Sequence, residues 1–138
     1  MSSRDERQAR TDFAERYAVA TGDVNARIEQ AVIGAVWGAN GYTTVDQADE
    51  LGRRLQLGPG KRLLDVGTGR GWPGLYLAQQ TGCHVIGTDL PVEGLEVARR
   101  RARDEGIGER VSLAVAGAAD LPFASQSFDA IVHTDVLC

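Results

Sequence analysis

Two aspartates and three closely spaced glycines are the residues of this chain whose types and spacing could do chemistry. Asp65 stands two residues ahead of Gly67, and Gly69 and Gly71 follow at alternate positions. Asp89 comes twenty residues after Gly69. Glycine tolerates positive φ and has no Cβ, so a turn built from it lets backbone approach a ligand closely. Where such a turn opens a helix, the free N–H groups of the first helical turn face the same spot. A carboxylate beside that turn would repel a pyrophosphate and hold a ligand carrying an ammonium group. The pattern predicts a small cationic ligand. It departs from the dinucleotide fingerprint Gly-x-Gly-x-x-Gly, because Trp72 fills the place of the third glycine.

Regular elements must position these groups. Leu63, Leu64 and Val66 form a short apolar run, and Pro73 with Leu75, Leu77 and Ala78 starts a helical pattern, so residues 61–78 read as strand, glycine turn and helix. The helix, expected over residues 73–80, leads through Gly82 to a second apolar strand, HVIGTD, that ends in Asp89. An acid at that strand end accepts hydrogen bonds from ribose hydroxyls, while a helix cap ahead of Pro91 is a plainer role compatible with the first. The next helix has Pro91 near its first position, Glu93 and Glu96 early, and Arg99, Arg100, Arg101 and Arg103 late. Those arginines sit among Asp104, Glu105 and Glu109, which indicates a solvated face rather than a phosphate site. A third strand is expected over Val111–Val115, a loop over residues 117–123, and a fourth strand over residues 130–133.

Alternating strands and helices imply right-handed crossovers and a parallel sheet with helices on both faces: an α/β, Rossmann-like fold with strand order 3-2-1-4. Ligands in such sheets bind outside the carboxyl ends of the strands, at the switch point. Asp65, Gly67, Asp89, the Ala118-Ala119 loop and Thr134 all fall at those ends.

The N-terminal part reads as helices. Its first ten residues are polar enough to be disordered, and Phe13, Tyr17 and Ala20 then form one helical stripe. Val24, Ile28, Ala31, Val32 and Ala35 predict a second, amphipathic helix that runs to Trp37 and stops at Gly38. Residues 38–44 have the composition of a loop, and Thr44 with Gln47 resembles a capping box for a helix whose apolar face is Val45, Ala48, Leu51 and Leu55. Gly58-Pro59-Gly60 ends it.

With 138 residues, the chain is one domain or part of one. The net charge of −4 gives no electrostatic reason to expect a nucleic-acid partner. No run approaches the roughly 18 apolar residues of a membrane span, and the mixed charges at the start are unlike a signal peptide, so a cytoplasmic location is expected. Cys83 and Cys138 read as reduced thiols rather than a disulfide, and Cys83-His84 has no second pair at zinc spacing, so no metal is expected.

The stretch LLDVGTGRG resembles the first motif of class I S-adenosylmethionine-dependent methyltransferases, in which an acid and Gly-x-Gly close the first strand beside the methionine portion of the cofactor. The later LPF, SFD and apolar strand resemble the small-molecule members of that family (methyltransferase domain type 11-like), where the preceding loop packs on adenine. The acid usual several residues before LPF is absent here. Gly117 or Ala118 takes its place, which leaves adenine recognition to backbone groups and no clear role for Asp120.

The resemblance covers residues 61–138 and implies S-adenosyl-L-methionine as cofactor. It would be held by Asp65, Gly67, Thr68, Gly69, Asp89, Leu90, Ala118, Ala119 and Thr134. Residues 58–138 would form the N-terminal half of a seven-strand core, under a helical lid made by residues 1–57. A chain ending after the fourth strand suggests truncation, or a homodimer or other partner that covers that strand's open edge. The implied reaction is methyl transfer to a small-molecule or lipid-like acceptor. Tyr42 and His133 are candidates for positioning or deprotonating it, beside the plainer readings of a packed aromatic and a strand histidine. Two other readings stay open: a noncatalytic methyltransferase-like binding module, and a nicotinamide-dependent oxidoreductase, which Trp72 and Asp65 disfavour.

Overall fold

The computed structural model describes residues 4–18, 22–39 and 41–134, with the side chains of residues 16–18 excluded. The expected roles of Tyr17, Ala20 and Cys138 lie outside the described residues. Among the described residues five α-helices, α1 (Arg4–Ala18), α2 (Asp23–Ile33), α3 (Val45–Arg54), α4 (Gly74–Thr81) and α5 (Val92–Asp104), accompany four strands, β1 (Arg62–Val66), β2 (His84–Asp89), β3 (Val111–Val115) and β4 (Ala130–Val132). The strands form one parallel sheet in the order 3-2-1-4, as the alternation of elements predicts.

The register explains which residues meet. Asp65 lies opposite Gly87 on one side and Val132 on the other, and Asp89 lies opposite Val115. Central β1 buries residues 63–66, as a strand covered on both faces must. Leu63 and Val85 of the sheet share a core with Leu75, Leu77 and Ala78 of α4 and with Ala98 of α5. Each fully buried leucine there contributes about 1.5–3 kcal/mol relative to exposure. Trp37, Trp72 and Tyr76 extend this core as an aromatic cluster, with Trp72 centred 5.5 Å from Trp37 and 5.2 Å from Tyr76. Trp72 Nε1 donates to the Thr43 carbonyl at 2.9 Å, so this side chain fastens the glycine turn to the segment between α2 and α3.

The helical part differs from the sequence expectation at two places. The first is α1, which begins at Arg4 rather than beyond residue 10. It packs against α5, and tertiary packing stabilises a helix whose composition alone would not. The second is the end of α2 at Ile33, where Gly34 adopts φ 89° and returns its N–H to the Gln30 carbonyl. Beyond it, the buried carboxylate of Glu29 accepts the N–H groups of Trp37, Gly38 and Ala39 at 2.7, 3.0 and 2.9 Å. Those three bonds stabilise a turn where apolar spacing alone predicts continued helix. Val24, Ile28 and Val32 consequently lie exposed, and α2 buries Glu29 and Ile33 instead.

The capping box of α3 forms as its sequence suggests, with Gln47 N donating to Thr44 Oγ1 at 3.2 Å and Thr44 N to Gln47 Oε1 at 2.9 Å. Cys83 is a buried free thiol. Among the described residues no helix is long and apolar enough to cross a membrane, and the outer edge of β4 pairs with no strand.

Candidate functional site

After β1 the chain turns over Gly67, Gly69 and Gly71, whose φ angles of 72°, 55° and 101° exclude most side chains. Two N–H groups of the turn, from Gly67 and Thr68, donate to the Thr88 carbonyl at 2.7 and 2.9 Å, and Gly71 N donates to the Thr68 carbonyl at 2.8 Å. The turn is thereby fixed against the end of β2.

Asp65 holds it from beneath. Its Oδ2 accepts the Thr68 hydroxyl at 2.7 Å and the Gly74 N–H at 3.0 Å, so the carboxylate joins β1, the turn and the start of α4. The Thr68 methyl in turn occupies the space above Gly87, where an added Cβ would approach it to 2.8 Å. Asp65 is 1% exposed and Thr68 2% exposed, and neither lines a hollow at the strand ends. This corrects the expectation that Asp65 grips a ligand directly. The free helical N–H groups expected at the turn are also engaged, that of Gly74 by Asp65 and that of Leu75 by the Gly71 carbonyl at 2.8 Å.

Burial pushes the Asp65 carboxyl up from 3.8 to about 7; the Thr68 hydroxyl and Gly74 N–H pull it back, and the charge of Asp89 adds to the rise. Between those two values the folded chain keeps a proton that the unfolded chain has released. The contribution of Asp65 to stability is therefore full below about 3.8 and falls until about 7. Asp65→Asn removes this dependence. In urea unfolding, the stability of wild type minus that of the variant should decrease between about pH 4 and about pH 8; a difference constant with pH would contradict the assignment.

Asp89 ends β2 in the opposite situation, with its carboxylate facing open space. Oδ2 accepts Gly69 N and Oδ1 accepts Leu90 N, both at 2.8 Å. Partial burial raises its pKa, while those two N–H groups favour the charged form. Each oxygen retains an acceptor position, which suits a pair of neighbouring hydroxyls. The hollow beside it has a volume of about 390 Å³. Its floor and one wall are Val66, Gly67, Asp89, Leu90, Pro91 and residues 116–119; the opposite wall is Asp5, Glu6, Ala9, Arg10 and Phe13 of α1. A nucleoside fits this arrangement, with a carboxylate for its diol and the apolar surfaces of Leu90, Ala118, Ala119 and Phe13 for its base. Two larger grooves, of about 570 and 720 Å³, lie elsewhere and contain none of these strand-end residues.

The structure thus brings Gly67, Asp89, Leu90, Ala118 and Ala119 to one hollow, and Gly69 reaches it by orienting Asp89. Thr134 lies half-buried beyond β4 and is not in its lining. Nor are Tyr42, which is 78% exposed between α2 and α3, and His133, which is exposed after β4. The sequence reading expected a helical lid from residues 1–57 and a stripe containing Phe13, but it named none of Asp5, Glu6, Ala9 and Arg10 as site residues. The signal for this wall was the spacing of Glu6, Ala9, Arg10 and Phe13, a helical stripe upstream of Phe13 hidden among charges.

A sequence profile of the methyltransferase domain family matches residues 63–138. The chain is 46% identical over 83 residues to Methyltransferase GfsG of Streptomyces halstedii, a match covering 60% of this chain and 30% of that protein. Among solved structures, a geranyl diphosphate methyltransferase in complex with GPP and sinefungin superposes with a TM-score of 0.68 at 28% identity, covering 90% of this chain and 54% of that one. A SAM-dependent methyltransferase from Thiobacillus denitrificans, in complex with S-adenosyl-L-homocysteine, gives a TM-score of 0.62 at 28% identity and covers 78% and 42%. The matched part of this chain therefore spans less than a third of GfsG. Because the profile runs from the buried residues of β1 through the glycine turn, Asp89 and β4, this chain belongs to the methyltransferase domain family and has its class I fold.

Proposed function

We propose that this chain is the cofactor-binding part of an S-adenosylmethionine-dependent methyltransferase acting on a small-molecule or lipid-like acceptor. The observation that carries the reading is Asp89, aimed by the Gly69 and Leu90 N–H groups into a hollow that the glycine turn borders. Asp89 takes the ribose hydroxyls, and Leu90, Ala118 and Ala119 flank the base. Gly67 lets the backbone close on the nucleoside side. Asp65 and Thr68 act from below, by fixing the turn and the start of α4.

When bound, S-adenosylmethionine supplies a methyl group already activated by a positive sulfur, so placement of the acceptor supplies most of what the protein must add. Names among the relatives, a geranyl diphosphate methyltransferase included, support a small or lipid-like acceptor. We place the protein in the cytoplasm, where the free thiol of Cys83 stays reduced, and read the outer edge of β4 as paired in the assembly by a partner or a second copy.

Calorimetric titration with S-adenosylhomocysteine and, separately, NAD tests the cofactor. Saturable heat with the first and none with the second is expected; saturation by NAD alone would overturn the reading. Transfer of labelled methyl to prenyl or fatty acyl acceptors then tests the reaction, and cofactor binding without any turnover would instead favour a binding module.

A further inference from the structure

The hollow has two polar ends, and the one far from the glycine turn has no assigned task. Residues 116–119, which wall it after β3, are Ala-Gly-Ala-Ala and carry no polar side chain. That loop can offer a base only backbone groups and methyls. The polar side chains at this end come from α1 instead. A Cβ added at Gly117 would lie 3.9 Å from Glu6 Oε1 and 3.5 Å from Leu90 Cδ2, so the Glu6 carboxylate stands over the position where the loop itself has nothing to contribute. Glu6 is half-buried there, whereas neighbouring Asp5 and Arg10 are exposed.

This inference rests on the cofactor reading above. With the ribose on Asp89, the flat and largely apolar base belongs between Leu90, Ala118, Ala119 and Phe13, which puts its polar edge toward Gly117 and Glu6. We infer that Glu6, on the N-terminal helix, accepts a hydrogen bond from the exocyclic amine of the adenine and selects adenine over 6-oxopurines. A carboxylate only accepts hydrogen bonds. It therefore pairs with the amine of adenine and opposes the 6-oxo group of hypoxanthine, itself an acceptor. A polar site built for one partner discriminates strongly against an analogue that cannot make the bond. The same contact ties α1 to the bound nucleoside, so the helix that walls the hollow also reads its contents.

The test compares S-adenosylhomocysteine with S-inosylhomocysteine by calorimetry, using wild type, Glu6→Gln and, as a control on the same helix outside the hollow, Glu15→Gln. Wild type should favour the adenosyl compound by about tenfold or more, the range of a hydrogen bond to a charged group. In Glu6→Gln the amide can donate to the 6-oxo group, so that preference should collapse by about fivefold or more, mainly through tighter binding of the inosyl compound. Glu15→Gln should keep the wild-type ratio. An unchanged ratio in Glu6→Gln, or a change in Glu15→Gln alone, overturns the role of Glu6 while leaving the cofactor reading intact; failure of wild type to bind S-adenosylhomocysteine overturns both. Circular dichroism of each variant separates loss of the contact from loss of α1.

Discussion

Replacing Asp89 with alanine is expected to weaken S-adenosylhomocysteine binding by about tenfold to a hundredfold, the range for hydrogen bonds to a charged group. Two effects act together. The carboxylate holds the Gly69 and Leu90 N–H groups, so its removal loosens the backbone around the hollow as well as deleting the acceptors for the ribose. Asp89→Asn separates them. An asparagine accepts through one oxygen only, so it keeps part of the turn geometry while losing the paired acceptors that a diol uses. The asparagine variant should therefore retain most of the stability of the wild type but little more affinity than the alanine variant. Calorimetry beside urea unfolding reads both quantities, and wild-type affinity in a folded Asp89→Ala would remove the residue from the site.

The second large effect is expected at Gly74. A Cβ there would meet Asp65 Oδ2 and come within 3.0 Å of Asp65 Cβ and 3.1 Å of its Cγ. Asp65 is fully buried and held by Thr68, so it cannot swing away without leaving a carboxyl group without its partners. Gly74→Ala should cost about 3 kcal/mol, from overpacking together with the strained bond between the Gly74 N–H and Asp65. It should also lower cofactor affinity, because Asp65 and Thr68 fix the turn that aims Asp89 through Gly69. Denaturant midpoints of the variant measure the first effect and its calorimetric dissociation constant the second. A variant as stable as wild type would show that the packing around Asp65 is looser than described.

Sheet order and strand placement were legible because they follow from short apolar runs separated by glycine and proline, and β3 falls on the predicted residues. Asp89 and the Ala118-Ala119 loop were legible as strand-end groups for the same reason. The direction of the Asp65 side chain was not. Spacing places it beside the glycine turn, but only the register with Gly87 and the start of α4 at Gly74 shows that it points beneath the turn. The end of α2 was hidden in the same way. Its apolar period continues past Ile33, and what stops the helix is Gly34 in the left-handed region, followed by a loop gathered on Glu29, sequence-distant from the N–H groups it holds. Asp5, Glu6 and Arg10 of the α1 wall escaped because they are ordinary polar helix residues until α1 packs on α5 and turns them toward the strand ends.

The account depends most on where an adenosine-bearing ligand sits. Two-dimensional amide spectra of the isotopically labelled chain, recorded during titration with S-adenosylhomocysteine, test this directly. The predicted result is a saturable shift of the signals of Gly67, Gly69, Leu90 and residues 117–119, with a smaller response along α1. Shifts confined to the groove lined by Val36, Trp37, Arg100 and Glu105, or no shifts at millimolar ligand, would contradict it.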